Sequence, residues 1–355
     1  MRPPVASHRR TAQSGLTQTV RATVLSAAVA TAAATLSTPA GASPAGDDSR
    51  SPGTVKAQVD KLYEEAERAT EKYNAADERT GDLRKKVEQA TDRVARGQEQ
   101  VNRMRAALGM IAAAQYRNGA VAPALQLLLS SDPDGYLERA ATLDRVSGRR
   151  TEELRALTEA QRTLRQERAE AVEVLGRLEE SRRAVERHKR EVEKKLATAR
   201  RLLNSLPRPE RAAYARASRS DGAARTESPL AALPDLTAVT SSRGAAAAMA
   251  ARSAVGSPYA WGATGPSAFD CSGLMQWAYG RAGVGLPRTS QAQRYAGRHV
   301  SLAEAQPGDL VIYRSDASHV AMYVGNGQVV HAPYPGARVR YDPANMMPIS
   351  SVTRP

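Results

Sequence analysis

The sequence is poor in the residues that build compact cores and cross-links. Its 355 residues include one cysteine, one phenylalanine and two tryptophans, and aromatic side chains make up only 4% of the chain. A single cysteine excludes an internal disulfide framework. Ten of the 15 aromatic residues and 13 of the 25 glycines fall within residues 244–355, a segment that has no lysine. We therefore expect a compact core in this C-terminal segment and a different kind of structure before it.

The chain also lacks a one-sided charge distribution, although it is basic overall. It has 51 Lys and Arg against 37 Asp and Glu, a net charge of +14. The two signs are interleaved through the middle of the chain, which is typical of solvated helix faces. A nucleic-acid-binding protein would show a clustered basic patch instead. We therefore expect no nucleic acid partner, and only a weak attraction to anionic wall polymers or lipid head groups.

Apolar runs are scarce, and the one near the N-terminus has the form of an export signal. Four arginines precede an alanine-rich apolar stretch, residues 22–36, and the small residues Pro39-Ala40-Gly41-Ala42 follow. This order predicts a signal peptide over 1–42, cleaved after Ala42, and a secreted, wall-associated protein. A retained membrane anchor is the alternative, but the run is short and weakly apolar for a span.

The middle of the chain repeats apolar or small residues at spacings of three and four. One series covers 59–115 and a second covers 154–203, which predicts two coiled-coil helices. Turn-forming residues separate them, so we predict an antiparallel helical hairpin over 54–206, with a parallel homodimer as the alternative. Proline, alanine, serine and charged residues predict a flexible linker over 207–243, and a globular domain follows over 244–355.

The single cysteine stands at the predicted start of a helix. A glycine-rich loop that begins at Tyr259 leads to Asp270-Cys271-Ser272-Gly273, and apolar residues at helical spacing follow. Asp270 suits the N-cap position. In the first turn of a helix, the dipole and the free N–H groups favour the thiolate, which is the nucleophilic form. Cys271 is therefore a candidate nucleophile that needs a base, rather than an inert buried cysteine.

Two histidines lie on one predicted β-hairpin and can supply that base. His319 opens a strand, Gly325-Asn326-Gly327 is a turn signal, and the return strand ends at His331. A three-residue loop places both histidines on one face of the sheet, whereas a two-residue loop separates them unless a bulge intervenes. We predict that His319 deprotonates Cys271 and that His331 orients His319. These residues are also three potential zinc ligands, but no fourth accompanies them, so we predict no metal and no other cofactor.

The C-terminal segment resembles the NlpC-type cell-wall peptidases, which are papain-like cysteine enzymes. The matching motifs occur in the family's order and cover residues 245–352. They are Tyr259-Ala-Trp-Gly, Phe269-Asp-Cys-Ser-Gly-Leu274, Pro287-Arg-Thr-Ser-Gln291, Pro307-Gly-Asp-Leu-Val311, Ser318-His-Val-Ala321 and Val330-His-Ala332. One departure is Ala263, where the family often has a second glycine. A hairpin ahead of such a domain also resembles actinobacterial members.

The resemblance implies a fold, an activity and a set of site residues. The fold is α+β: a papain-like domain with helices packed on an antiparallel sheet, preceded by the long α-helical coiled-coil hairpin. The implied activity is hydrolysis of peptidoglycan stem peptides, typically between D-glutamate and a diamino acid. Cys271 is the implied nucleophile, His319 the base and His331 the third polar residue, and the Cys271 N–H and the Tyr259 hydroxyl stabilise the oxyanion. The residues implied to bind substrate are Asp270, Ser272, Arg288 and Gln291.

We therefore predict a secreted cysteine endopeptidase that cuts peptidoglycan during wall remodelling or daughter-cell separation. The alternatives are a non-catalytic adaptor for wall peptides or division proteins, and an amidase or acyltransferase on the same fold. The hairpin offers no plausible chemistry of its own. We expect the hairpin or its tip to fold back over the Cys271 cleft, or to bind a membrane or division-protein partner. The apolar tip residues are Leu125, Leu127, Leu128 and Leu129.

Overall fold

The computed structural model describes residues 52–117, 123–129, 135–214 and 243–355. The signal peptide predicted over 1–42 lies outside the described residues, as does most of the predicted linker. Among the described helices, none combines the length and the apolar character that a membrane span requires.

The first half of the described chain is a helical hairpin. It consists of α1 (Pro52–Arg117), a short α2 (Pro123–Leu128) and α3 (Tyr136–Ser205). Helices α1 and α3 run antiparallel, since a buried pair near the middle joins Thr80 Oγ1 to Ser181 Oγ at 2.9 Å, whereas Glu65 near the start of α1 pairs with Lys195 near the end of α3. The predicted intramolecular hairpin is confirmed.

The hairpin buries apolar side chains mainly in the half that adjoins the C-terminal domain. Small residues such as Ala66 and Ala69 let α1 approach Val192 and Leu196 of α3 closely. The buried hydrophobic residues of α1 end at Val101. Beyond that point several large apolar side chains are exposed: Met110, Tyr116, Leu125, Leu128, Leu129 and Leu137. We call residues 102–117, 123–129 and 135–163 the distal half of the hairpin.

The segment predicted as a linker begins with a further short helix. Residues 208–214 form α4, which follows α3 after a break at Leu206. Leu206 and Tyr214 pack against Val55 and Val59 at the start of α1, and the Tyr214 hydroxyl donates to Asp60 Oδ1 at 3.0 Å. These apolar contacts explain why helical structure extends past the predicted end of the hairpin.

The C-terminal domain has helices packed on one six-stranded antiparallel sheet, as the α+β prediction requires. The sheet order is β1-β6-β2-β3-β4-β5, and two apolar clusters fill its two faces. The helices are α5 (Arg243–Ser253), α6 (Cys271–Arg281) and α7 (Ser290–Gln293). The strands are β1 (Arg298–Val300), β2 (Leu310–Tyr313), β3 (His319–Gly325), β4 (Gln328–His331), β5 (Arg340–Pro343) and β6 (Ile349–Arg354). The fold prediction is confirmed.

The turn between β3 and β4 has two residues, the shorter of the two loops considered from the sequence. Gly325 pairs with Gln328 across Asn326 and Gly327, which have φ angles of 51° and 69°, as a tight hairpin turn requires. The strand register shifts just before Gly325, which is the signature of a bulge. The bulge adds the residue that the shorter turn omits, so the two histidines still share one face.

Candidate active site

Cys271 is the first residue of α6, and the loop before it fixes its position. The Asp270 side chain caps the helix by accepting from the Gly273 N–H at 2.7 Å, as predicted for an N-cap. Gly273 leaves no room for a side chain, because a Cβ atom would lie 2.2 Å from the Ala263 carbonyl oxygen. The loop therefore packs directly on the first turn of α6. The Cys271 side chain is buried, with 1% of its surface exposed.

The structure brings the three predicted catalytic residues together. A ring nitrogen of His319 and the Cys271 sulfur lie within 4.8 Å of each other. His319 Nε2 is 2.8 Å from His331 Nδ1, and His331 Nε2 is 2.8 Å from Asp342 Oδ2. The side chains thus form a continuous series from the thiol to a carboxylate. Asp342 was not identified from the sequence, since it belongs to none of the matching motifs.

Three of the four residues expected to bind substrate form a buried polar cluster beside Cys271. Arg288 Nη2 pairs with Asp270 Oδ2 at 2.5 Å, and Arg288 Nη1 donates to Ser272 Oγ at 2.9 Å. Tyr259, the residue expected at the oxyanion, is also buried. The cluster therefore presents a carboxylate, a hydroxyl and a guanidinium at the nucleophile.

Gln291 lies differently from the prediction. Its Nε2 donates to the Asp316 carbonyl oxygen at 3.4 Å, and no contact joins it to the buried cluster. Two residues later, Gln293 is fully buried and donates to the carbonyl oxygens of Ser272 and Pro287, each at 2.9 Å. The helical turn of α7 directs Gln293 inward. The glutamine that supports the buried cluster is therefore Gln293, which lies outside the motif Pro287–Gln291.

Helix α1 of the hairpin covers this site with three buried polar side chains. Glu67, Glu71 and Asn74 are four and three residues apart, which places them on one face of the helix, and all three are buried. The hairpin therefore meets the Cys271 cleft through polar side chains of α1. The periodic pattern of α1 does not reveal these contacts, because polar residues beside a coiled-coil seam are usually solvated.

Each of the three side chains engages a different predicted site residue. Glu67 forms a short hydrogen bond to His319 Nδ1, and its other oxygen accepts from Arg314 Nη1 at 2.7 Å. Asn74 Nδ2 donates to Asp270 Oδ2 at 3.1 Å. The base and the substrate cluster are thus both occupied by groups of the hairpin.

Glu71 lies closest to the nucleophile. Its Oε1 accepts from Ser272 Oγ at 2.7 Å and lies 3.6 Å from Cys271 Sγ. Its Oε2 accepts from the Ser290 N–H at 2.8 Å. A substrate carbonyl cannot reach the sulfur while this carboxyl group fills the space around it.

Contacts around the rim seal the covered site. Tyr63 of α1 stacks on Tyr334 with ring centroids 5.2 Å apart, and Tyr73 meets the edge of Trp261 at 5.1 Å. Arg68 pairs with Asp316 at 2.8 Å. The covering surface is therefore the part of α1 nearest the C-terminal domain, and the leucines of the hairpin tip take no part in these contacts.

The covered state suppresses the nucleophile electrostatically as well as sterically. Burial raises the pKa of the Cys271 thiol well above its ordinary value, and the nearby carboxylates of Glu71, Glu67 and Asp270 raise it further. Burial and the charge of Asp270 also raise the pKa of Glu71, to about 7. The thiol is therefore held in its uncharged, weakly nucleophilic form.

The covered state also engages both nitrogens of the base. Burial alone would raise the pKa of Glu67, but His319 and Arg314 outweigh this effect and lower it, so Glu67 is an ionised acceptor. It accepts a hydrogen bond from His319 Nδ1, and His319 Nε2 lies 2.8 Å from His331 Nδ1. Both ring nitrogens of His319 are therefore engaged by other side chains, and neither faces the thiol freely.

A metal ion is a second conceivable occupant of the same place. Ligand atoms of Glu67, Cys271 and His319 all lie within 4.8 Å of one another. However, the guanidinium of Arg314 pairs with the Glu67 carboxylate and would repel a cation bound there. The arrangement is therefore better satisfied by hydrogen bonds than by a metal.

Comparisons with known proteins agree with this geometry. The NlpC/P60 family model matches residues 256–353. A protein of Corynebacterium glutamicum named a probable endopeptidase is 47% identical over 117 residues, which cover 33% of this chain and 56% of that protein. A probable endopeptidase of Mycobacterium bovis is 48% identical over 98 residues, covering 28% of this chain and 26% of that protein. The chain thus spans about half, or less, of the length of these relatives.

One solved structure is similar to the C-terminal part in sequence. The P60 domain of an antigen from M. avium subspecies paratuberculosis is 35% identical, and the match covers 32% of this chain and 93% of that one, with a TM-score of 0.30. The matched family segment includes the cysteine, both histidines and the buried polar cluster. Residues 256–353, the segment that holds these side chains, therefore match the NlpC/P60 family.

Proposed function

We propose that the protein is a peptidoglycan endopeptidase that hydrolyses stem-peptide amide bonds by a Cys-His-His mechanism and is kept latent by its hairpin. The observation that carries this proposal is the series Cys271–His319–His331 beside a buried polar cluster. The names of the relatives, probable endopeptidases, support the reaction class.

The reaction follows from the positions of these groups once the hairpin has withdrawn. His319 takes the proton of Cys271, and the thiolate attacks the carbonyl carbon of the scissile amide. The Cys271 N–H at the start of α6 and the Tyr259 hydroxyl stabilise the oxyanion. The imidazolium of His319 then protonates the leaving amine, and a water molecule activated by His319 releases the acyl group from the sulfur.

The hairpin side chains suggest which substrate groups the site accepts. Asn74 places an N–H donor on Asp270, where the free amino group of a stem peptide would fit. Glu71 places a carboxylate on Ser272 and the Ser290 N–H, next to the sulfur. A γ-linked D-glutamyl residue has a free α-carboxylate close to its scissile amide, which an ordinary peptide lacks. We therefore propose cleavage between D-glutamate and the diamino acid.

The decisive experiment is incubation with purified muropeptides, followed by product identification by mass. The chain should be used both whole and as residues 244–355. A new amine on the diamino acid with a free γ-carboxyl group on D-glutamate supports the proposal. Transfer to another acceptor, or cleavage at the sugar–peptide amide, would indicate an acyltransferase or an amidase. Binding without any product from either form would indicate an adaptor.

The role of His331 can be separated from that of His319. We expect His331→Ala to slow cleavage by about 10- to 100-fold, less than the loss of His319, because an orienting group is partly dispensable. His331→Asn and His331→Gln should recover part of the rate by restoring a hydrogen bond to the imidazole. Steady-state rates on muropeptides test this, and a His331→Ala chain as inactive as one without Cys271 would contradict it.

The latent state should weaken as the pH rises towards neutrality. Glu71 has a pKa of about 7 when covered, against an ordinary value of 4.5, so the covered state binds its proton more tightly than the open state does. Opening is therefore favoured progressively between pH 4.5 and 7 and levels off above that. The pKa of Glu67 is lowered from 4.5, so Glu67 stays ionised between pH 4.5 and 7 and does not contribute to this change.

A matched variant isolates this effect. Glu71→Gln keeps the shape of the protonated acid but cannot ionise, so it should stay latent across the range. We expect the activity ratio of the unaltered chain to the Glu71→Gln chain to rise at least tenfold from pH 5 to pH 7. A ratio that is flat over this range would show that Glu71 does not govern the opening.

We further propose that the protein acts outside the cell, in the wall, after export by its N-terminal segment. We propose that a membrane or division-protein partner binds the distal half of the hairpin, where the exposed apolar side chains lie, and withdraws α1 from the site. Wall fractionation of cells that express the tagged chain would test the location. Loss of activation on replacing Leu128 and Leu129 with serine would test the partner surface.

A further inference from the structure

One buried carboxylate beside the active site has no part in the mechanism described above. Asp342, on β5, has 4% of its surface exposed. Its Oδ2 accepts from His331 Nε2 at 2.8 Å and from Arg340 Nε at 2.8 Å. The strand pairing explains the contact, since His331 pairs with Arg340 and Asp342 follows two residues later on the same face.

The hydrogen bonds of this carboxylate have only one consistent direction. Burial would raise the pKa of Asp342, but hydrogen bonds and charge from His331 and Arg340 lower it to about 2, so the group is ionised and can only accept. His331 must then carry its proton on Nε2. Burial lowers the pKa of His331 to about 4, so its Nδ1 is bare and accepts from His319 Nε2.

We propose that Asp342 is a positioning residue that sets the direction of the hydrogen bonds from His331 to His319. Because His319 Nε2 donates its proton to the hydrogen bond with His331, the lone pair of the His319 imidazole lies on Nδ1 once Glu67 has withdrawn. Nδ1 is then the nitrogen available to the thiol of Cys271. Asp342 touches neither the thiol nor the substrate, and it acts only through His331. The inference rests on the proposed function only in taking Cys271 and His319 as the reacting pair.

A purely structural role is the competing explanation, because Asp342 also forms an ion pair with Arg340. The two roles differ in what they change. An ion pair that only holds β5 in place affects the melting temperature, whereas a positioning residue changes the reactivity of Cys271 and its dependence on pH. The chain offers a clean probe, since Cys271 is its only cysteine and iodoacetamide therefore reports on one site.

The experiment measures the alkylation rate of Cys271 between pH 4 and pH 10 in the full chain carrying Glu71→Arg, which is designed to uncover the site. Adding Asp342→Ala is expected to lower the rate at pH 6 at least tenfold and to raise the midpoint of thiolate formation. Asp342→Asn should stay within threefold of the parent, since its amide oxygen can accept from both His331 and Arg340. An Asp342→Ala profile that superimposes on the parent would overturn the proposal.

Two controls separate positioning from structure. Asp309 is a buried carboxylate of the same domain that pairs with Arg354 at 2.7 Å, and Asp309→Ala should leave the alkylation profile unchanged while lowering the melting temperature. In a His331→Ala background, Asp342→Ala should have no further effect, because its action passes through His331. An equal further loss in that background would contradict the proposed route.

A spectroscopic measurement covers the case in which Asp342→Ala does not fold. In the parent chain, the ¹⁵N shifts of the imidazole of His331, assigned with a His331→Gln variant, should show a protonated Nε2 and a bare Nδ1. The opposite tautomer would overturn the proposal. If Glu71→Arg fails to speed alkylation over the unaltered chain, the latency proposal fails. The effect of Asp342→Ala can still be read in that case, because the chains with and without this substitution both carry Glu71→Arg.

Discussion

A chain in which Glu71 is replaced by arginine is expected to cleave muropeptides at least tenfold faster than the unaltered chain. The arginine would place a guanidinium next to Arg288, where Glu71 now accepts from the hydroxyl of Ser272 and the N–H of Ser290. Breaking a buried polar network of this kind costs about 3–5 kcal/mol. A cost of about 3 kcal/mol already shifts the balance between covered and open sites by more than 100-fold.

The matched control is Glu88→Arg, which makes the same charge change at an exposed position of the same helix. It should leave the rate unchanged. Removal of the hairpin should have the same effect as Glu71→Arg, so residues 244–355 should also be faster than residues 43–355. Equal rates for the unaltered, Glu71→Arg and shortened chains, at matched concentration on soluble muropeptides, would rule out inhibition by the hairpin.

In this activated chain, Cys271→Ala is expected to abolish cleavage, with a loss of about 10⁴-fold or more. His319→Ala should do the same, because each change removes one member of the nucleophile–base pair. Iodoacetamide should inactivate the chain and chelators should not, since the proposed reaction uses no metal.

A suitable control is His299→Ala, which removes an exposed histidine of β1 and should preserve activity. Circular dichroism should show that the Cys271→Ala and His319→Ala chains remain folded. Activity that survives Cys271→Ala, or that is lost on adding a chelator, would disprove the cysteine mechanism.

The proximity of Cys271, His319 and His331 was predictable because each lies in a short motif whose local structure is set by neighbouring residues. Asp270 can be recognised as a helix cap, and His319 and His331 flank a turn signal. The length of the turn was left open between two and three residues, since a bulge near Gly325 depends on how two strands pair and not on the turn residues alone. The predicted shared face of the histidines was correct, because the bulge offsets the two-residue turn.

The side chains that were missed act through contacts between distant parts of the chain. Glu71 meets Ser272, which lies 201 residues away in the sequence, and nothing in the local pattern of α1 shows that a second surface packs on that face. Asp342 reaches His331 only because β5 pairs with β4. A periodic pattern identifies the face of a helix that packs on its hairpin partner, but not a further face that covers another domain.

The hairpin is packed tightly only in the half next to the C-terminal domain, and its distal half extends away from the covered site. A force on the distal half would therefore act on the covered site as through a lever. If the hairpin pivots near Val55, Glu71 lies about 24 Å from the pivot and Arg117 about 93 Å, at 1.5 Å per helical residue. The far end then travels about four times as far as Glu71, and a force applied there is multiplied by about the same factor. Lifting Glu71 by about 4 Å would need a movement of about 15 Å at the far end. A force applied at the far end could therefore be about a quarter of the force needed at Glu71, provided that it acts over the longer distance.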